Sequence, residues 1–314
     1  MIDVCLLGCG GSMPMVNRFL SSTIINYKGR KILIDCGEGT QVAMRSVGDG
    51  FKSLDVICIT HCHGDHIIGL PGLLSTVGNS GRIEPLIIIG PKGIKEVVTA
   101  LRTIVKYLPY EIIIIEDKEK VALSYTRDSL RLNDDNNCLI IDILELDHST
   151  DCIGYKFYFK RERKFSLEKA IKNNVPKVLW SKLQKCDNNT IIYDEKEYKK
   201  DLVLGDERRG IKICLITDTR PVDTIVEFIR DSDLFICEGT YGDDKDTSKA
   251  IKNKHMTFRE AASLAQRGLC DKLLLTHFSP ALTEPAIYED NAKDIFENTI
   301  IGYDGLKLVL KYKE

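Results

Sequence analysis

The chain has 314 residues, with 44 lysines and arginines against 46 aspartates and glutamates, six histidines and a net charge of −2. It is 43% hydrophobic, 29% charged and 7% aromatic, which excludes a disordered chain, a collagen-like fibre and a small disulfide scaffold and leaves room for one large domain with a sizeable core. Near-neutrality excludes a wholly basic nucleic-acid binder, although an average can conceal a local asymmetry.

The N-terminal stretch MIDVCLLGCGG lacks a basic leader region and reads as a first strand, Asp3–Leu7. Further β-branched runs predict strands at Lys31–Cys36, Asp55–Thr60, Pro85–Ile89, Tyr110–Ile115, Leu139–Leu146, Lys212–Ile216, Asp233–Cys237, Lys272–Thr276 and Leu306–Lys311. Helical patterns lie between them at Gly93–Tyr107, Pro221–Arg230, Thr257–Arg267 and Glu284–Asn298; Thr257 with Glu260 three residues on is a capping-box signal. Strands of this kind interleaved with helices imply a layered α/β sandwich with buried sheet faces. No apolar run approaches the ~20 residues that span a bilayer. There is also no linker-like segment and no solenoid repeat, so residues 1–314 read as a single domain. Eleven scattered cysteines, an odd number, point to free thiols in a reducing, cytoplasmic compartment.

One segment breaks the rhythm. Residues 160–185 carry nine basic and two acidic side chains, a local charge of +7 against −9 for the remainder. Leu167, Ala170 and Ile171, and after Pro176 also Val178, Leu179 and Leu183, sit at helical spacing. The segment therefore reads as an αα-hairpin or arm inserted between core strands, extending to about residue 205. Taken alone, such a charge run is ordinarily a solvated surface.

The strongest chemical signal is Thr60-His61-Cys62-His63-Gly64-Asp65-His66. Histidines at i, i+2 and i+5 do not share a helix face. The strand before them and the glycine among them instead predict a loop at a strand's C-terminal end. Four ligand-type side chains in six positions would repel one another without a cation, and imidazole with carboxylate suits zinc, or else manganese or iron. His148, Asp218 and His277 each follow a predicted strand in the same way, at the ends where open α/β sheets gather their sites. Seven donors suffice for two metals with a position open for water.

These residues carry a family resemblance that runs from Leu6 to about Tyr312. Leu33-Ile34-Asp35-Cys36-Gly37-Glu38-Gly39-Thr40-Gln41, the His61–His66 block followed by Gly69-Leu70-Pro71-Gly72, Gly90-Pro91-Lys92-Gly93, Asp147-His148, Asp218-Thr219-Arg220, Glu238-Gly239-Thr240, His255-Met256-Thr257 and Thr276-His277-Phe278-Ser279 occur in order. The sequence resembles the metallo-β-lactamase-fold hydrolases, and within them the ribonuclease Z branch of tRNA 3′-processing endonucleases. The resemblance implies a four-layer αββα sandwich with an inserted helical arm and two Zn2+ per subunit, or Mn2+ or Fe in their place. His61, His63 and His148 would hold one ion, Asp65, His66 and His277 the other, and Asp218 would bridge them. Asp35 would orient a ligand histidine.

It further implies attack of metal-activated hydroxide on a phosphodiester of precursor tRNA, leaving a tRNA 3′-hydroxyl. Asp65 would serve the chemistry as well as the metal, His255 would be the general acid and Glu238 the carboxylate that orients it. The arm would hold the tRNA body through Lys160, Arg161, Arg163, Lys164, Lys169 and Lys172 without reading bases, and two subunits would form a homodimer in which one arm serves the other site. Some positions depart from the family pattern. Pro14-Met15-Val16-Asn17-Arg18-Phe19 stands where bacterial relatives carry Pro-x-Lys-x-Arg-Asn, and Ser279-Pro280-Ala281-Leu282 where they carry Ser-x-Arg-Tyr. The arm has no Gly-Pro tip, and Cys237 replaces a common histidine. Two other functions fit the same residues: a metal-dependent phosphodiesterase on small or cyclic nucleotides, which needs no basic arm, and a non-catalytic RNA-binding relative, which would bind without turnover.

Overall fold

The computed structural model describes every residue except 127, 134–137, 186–188 and 314. The chain begins with the antiparallel strands β1 (Ile2–Gly8), β2 (Ser22–Tyr27) and β3 (Arg30–Ile34), followed by α1 (Thr40–Ser46) and β4 (Leu54–Cys58). A single helical turn α2 (Gly64–Ile67), then α3 (Leu70–Asn79), β5 (Leu86–Gly90), α4 (Ile94–Leu101) and β6 (Ile112–Glu116) complete the first half. The second half opens with β7 (Lys120–Tyr125), β8 (Leu130–Leu132), β9 (Leu139–Leu146) and the ten-residue β10 (Cys152–Arg161). An insertion of α5 (Leu167–Lys172), α6 (Lys177–Lys185), β11 (Thr190–Tyr193) and β12 (Lys196–Lys199) precedes β13 (Arg208–Ile216). The remaining elements are α7 (Asp223–Ile229), β14 (Leu234–Glu238), α8 (Thr247–Asn253), α9 (Phe258–Arg267), β15 (Leu273–Thr276), α10 (Glu289–Lys293), β16 (Thr299–Ile301) and β17 (Leu306–Leu310).

Seven strands in the order β17-β1-β2-β3-β4-β5-β6 form one sheet, and eight in the order β16-β15-β14-β13-β10-β9-β7-β8 form the other. The two sheets share an apolar cluster that includes Val4, Ile32, Ile89, Phe157 and Ile213. Met44, Leu70, Leu74 and Val98 seat α1, α3 and α4 on the outer face of the first sheet. Ile225, Ile229, Phe258 and Ala265 seat α7 and α9 on the second. The result is the four-layer αββα sandwich. Strands such as β5, LIIIG, are buried on both faces because helices cover one side and the partner sheet the other. Each such side chain contributes roughly 1.5–3 kcal/mol.

Strands β3 to β6 are parallel, as are β13 to β16. β9 also runs with β13, because both pair antiparallel with β10. Six strand ends therefore gather along one edge of the sandwich: β3, β4, β9, β13, β14 and β15. The buried Tyr155 pins the two sheets together just beneath that edge, its hydroxyl donating to the carbonyls of Ile59 (2.7 Å) and Ile89 (3.1 Å).

Several expectations need correction. The patterning leaves β2, β7, β8, β10 and β16 unread, together with β11 and β12 inside the insertion. Glu284–Asn298 is not one helix: a 3-10 turn, Pro285–Tyr288, precedes a short α10 that ends at Lys293. Gly93–Tyr107 shortens to α4 and a 3-10 turn, Arg102–Ile104. The insertion is more than an αα-hairpin. Its two helices and its β11–β12 hairpin close over their own small core of Ala170, Leu179, Leu183, Tyr198 and Val203, with residues 186–188 outside the described residues. Lys160 and Arg161 belong to β10 rather than to the arm, and Arg161 stands opposite Arg208 at the neck of the insertion.

Candidate metal centre

The strand-end edge carries all of the ligand-type residues. His61 lies three residues past the end of β4, and His63 caps α2, so Asp65 and His66 lie in a helical turn rather than in the loop expected from spacing. The turn is held in place by the His66 N–H to the His63 carbonyl (3.0 Å) and by the Cys36 N–H to the His66 carbonyl (2.7 Å). Asp35, Asp218 and His277, just past β3, β13 and β15, all adopt left-handed backbone angles, with φ of 59°, 52° and 58°. Such conformations cost on the order of 1–3 kcal/mol each and persist where the surroundings enforce them, typically at functional sites. Gly11 shows how close the packing is: a β-carbon there would lie 2.5 Å from the His277 ring.

The side chains converge as two groups about one carboxylate. His61 Nε2 and His63 Nδ1 are 3.1 Å apart, and His63 Nδ1 is 3.4 Å from His148 Nε2. In the second group His66 Nε2 and His277 Nε2 are 3.2 Å apart, and each lies 3.4 Å from Asp65 Oδ2. Asp218 stands between the groups. Its Oδ1 is 3.3 Å from His277 Nε2, 3.8 Å from His61 Nε2 and 4.0 Å from His148 Nε2, and its Oδ2 is 3.3 Å from His66 Nε2.

The outward ring nitrogens are occupied. His66 Nδ1 faces Asp35 Oδ2 at 2.8 Å, His61 Nδ1 the Thr60 hydroxyl at 3.1 Å, His277 Nδ1 the Thr240 hydroxyl at 3.1 Å and His148 Nδ1 the Lys254 carbonyl at 3.3 Å. Asp35 is itself fixed by the Thr60 N–H (2.8 Å) and hydroxyl. Partners of this kind orient metal-binding imidazoles. Imidazole and carboxylate donors converging this closely from ring orientations fixed in this way fit a divalent metal. Burial and the neighbouring His66 push the His61 imidazole down to about 2, keeping it neutral and able to donate a lone pair. Burial opposes ionisation of Asp65 and Asp218, but the surrounding imidazoles outweigh it and hold both carboxyls well below the ordinary range.

Beside this cluster lies a second pair. Glu238, the last residue of β14, is fully buried. It accepts the N–H groups of Thr219 (2.7 Å) and Met256 (3.0 Å) and the Thr240 hydroxyl (2.6 Å). His255 Nδ1 lies 3.2 Å from it, and the ring opens on a cavity of about 430 Å3 beside Asp218. Burial lowers the His255 pKa, but the Glu238 charge and hydrogen bond, with Asp218, raise it to about 9.

Two ion pairs hold the His255 loop. Arg220 grips Glu260 and the His255 carbonyl, and Lys254 bridges to Asp147 (2.7 Å) and the His148 carbonyl (3.1 Å). Thr257 and Glu260 form the expected capping box. Sequence reasoning assigned nothing to Thr60, Thr240, Arg220 or Lys254. Thr60 and Lys254 adjoin His61 and His255, and Arg220 and Thr240 lie two residues past Asp218 and Glu238, but proximity in the chain does not reveal a bonding partner from another strand.

The arm residues lie elsewhere. Arg163 is tied to Asp201 and to the Gly205 carbonyl (2.6 Å), Lys169 to Asp206 (3.1 Å), and Arg161 lies over the Tyr312 ring. Lys160, Lys164 and Lys172 are exposed. The arm leaves the sandwich at Arg161, the end of β10 opposite Cys152. The next residue, Ile153, donates its N–H to the carbonyl of Thr60 beside the metal cluster. At about 3.4 Å per residue the length of β10 separates arm root from cluster by about 30 Å.

Residues 2–198 match the family described as Anti-Pycsar protein Apyc1. Along its whole length the chain is 62% identical to a protein of Clostridium beijerinckii named ribonuclease Z, over 316 residues and 100% of both chains. It is 57% identical to one of Clostridioides difficile with the same name, over 314 residues and again 100% of both. Among solved structures it is similar to the short form of human tRNase Z, with TM-score 0.68 and 23% identity over 98% of this chain and 99% of that one. It is also similar to YhfI of Bacillus subtilis, described as a metallo-β-lactamase fold protein, with TM-score 0.66 and 19% identity over 98% of each.

Proposed function

The chain belongs to the ribonuclease Z family and, over residues 2–198, to the family described as Anti-Pycsar protein Apyc1, and from that premise we propose that it is a metal-dependent endoribonuclease that cuts precursor tRNA on its 3′ side and leaves a tRNA 3′-hydroxyl. The observation that carries this reading is the placement of two ligand groups about Asp218 with the Glu238–His255 pair at their rim. In it His61, His63 and His148 would hold one zinc, Asp65, His66 and His277 would hold a second, and Asp218 would serve both. Bound there, the ions supply a nucleophilic water at neutral pH and countercharge for the phosphoryl oxygens.

The chain's own residues do the rest. Asp35 and Thr240 fix the rings of His66 and His277 so that their Nε2 atoms face inward. Glu238 occupies His255 Nδ1, so the leaving 3′-oxygen takes its proton from Nε2. Arg220 and Lys254 hold the loop that presents this ring.

The arm supports an RNA substrate over a small diester. It is a folded unit with its own core, unnecessary for a mononucleotide; Lys164 and Lys172 provide charge for phosphates there, and Lys160 adds to it from the end of β10 at the arm's root. Its root lies at the far end of β10 from the cluster in the same subunit, which supports a homodimer in which each arm serves the partner's site. Ten described cysteines are unpaired thiols, which supports a cytoplasmic setting; no described helix is long and apolar enough to cross a membrane.

The test is incubation of purified protein with a 3′-extended tRNA precursor and zinc or manganese, followed by mapping of the product ends. A single cut after the acceptor stem, with a 3′-hydroxyl on the tRNA, is expected. Hydrolysis of small or cyclic diesters with the precursor left intact would favour the phosphodiesterase reading. Binding of the precursor without turnover would favour a non-catalytic relative.

A further inference from the structure

The wall of the cleft next to His255 is the C-terminal end of α8, Lys252-Asn253-Lys254. Two of these three side chains are engaged within the fold. Lys254 is held by Asp147 and the His148 carbonyl, and Asn253 donates to the Tyr241 hydroxyl at 2.7 Å. Lys252 lines the same cavity, is exposed and has no ion pair among the described residues. Arg18, on the loop that brings Ser12 to the cleft, cannot share that role. Its guanidinium donates to the carbonyls of Ser279 (3.4 Å), Leu282 (3.0 Å) and Thr283 (3.1 Å) and lies over the Phe278 ring.

A free lysine at a phosphodiester cleft is a point-charge phosphate binder. Its side of the cleft is set by His255, three residues on in the same wall, which faces the leaving 3′-oxygen. A strand with its scissile phosphate at the metal cluster therefore passes its next phosphate, on the tRNA side, along Lys252. We propose that Lys252 contacts this adjacent phosphate and so favours a polynucleotide over an isolated diester, an assignment that rests on the endoribonuclease reading above.

The experiment compares metal-loaded wild type, Lys252→Ala and Lys252→Arg on a 3′-extended tRNA precursor across a series of salt concentrations. Lys252→Ala should raise KM about fivefold to tenfold, with the loss in KM rather than kcat, and Lys252→Arg should recover most of it. The slope of log kcat/KM against log salt should shrink by about 0.7, the contribution of one single-strand phosphate contact. A methylphosphonate at the adjacent phosphate should reproduce the loss in wild type and add nothing in Lys252→Ala. Wild-type KM and salt slope in Lys252→Ala would overturn the assignment while leaving the endoribonuclease reading in place. A wild-type enzyme that cuts no precursor would overturn that reading, and this assignment with it.

Discussion

The buried carboxylate of Glu238 lies 3.2 Å from Nδ1 of His255, which pins one ring nitrogen to a fixed charge and leaves Nε2 to exchange a proton with the cleft. The pair sets the sign of the pH response. Although burial works against the imidazolium, Glu238 and Asp218 raise its pKa to about 9, and in the proposed role of general acid His255 must be protonated to act. Turnover should therefore fall as pH rises through that value. Glu238→Gln removes the charge, so the alkaline limb of the kcat profile should move towards the ordinary imidazole value near ~6.5. The stability contribution has the same sign: it is complete below the ordinary imidazole value and is lost as pH rises through about 9. His255→Ala should retain its metal, measured by elemental analysis, and lose about 10²–10⁴-fold in kcat.

Asp218 stands within 4.0 Å of imidazoles from both ligand groups. Asp218→Ala should lose metal and turnover together. Chelation of the wild type should lower its melting temperature, and zinc should restore it, because a ligand that binds only the folded state stabilises by mass action. In Asp218→Ala the zinc-dependent rise should shrink or disappear. A full zinc response in the variant would remove Asp218 from the ligand set.

Asp35 touches no bound ion in this scheme; it reaches the centre through His66 and Thr60. Asp35→Asn keeps the size but loses the charge that fixes the His66 ring. Metal affinity in a chelator competition should fall by about 10–100-fold, with activity recovering at high zinc. Recovery distinguishes an orienting role from a catalytic one.

Arg161 and Arg208 are paired across the neck of the insertion, so a short turn can join β10 to β13 directly. Excision of residues 162–207 behind such a turn should leave a folded, metal-binding sandwich that still hydrolyses a chromogenic diester. Precursor tRNA cleavage should fall by orders of magnitude, measured on the same preparation. Loss of both activities with an intact melting transition would show that the insertion serves the centre as well as the substrate.

The legible part of the fold is the part whose burial pattern is simple. β5 and β6 read directly because unbroken Ile and Leu runs have one use in an α/β sandwich. β10, CIGYKFYFKR, escapes notice because lysines interrupt an otherwise aromatic strand: Tyr155, Phe157 and Phe159 are buried while Lys156 turns out to pair with Asp142. α3 carries Leu70, Leu73, Leu74 and Val77 at helical spacing, but Pro71 and Gly72 in its first turn disguise it, although proline is favoured there. At the centre, ligand types at strand ends are visible in the chain. The left-handed backbones of Asp35, Asp218 and His277, and the threonines that steer the rings, depend on contacts between strands distant in sequence. The arm's charge is equally visible, but the use of Arg163 and Lys169 to brace its own fold is not.

The neck between β10 and β13 has an evolutionary consequence. Whatever is spliced in there meets the sandwich through one closed rung of the β-ladder, a strand's length from the chemistry. Insertions can lengthen, shrink or change charge at that point without disturbing a ligand. A lineage can thus exchange what it grips while inheriting unchanged how it cuts, and selection on the two can proceed separately within one polypeptide.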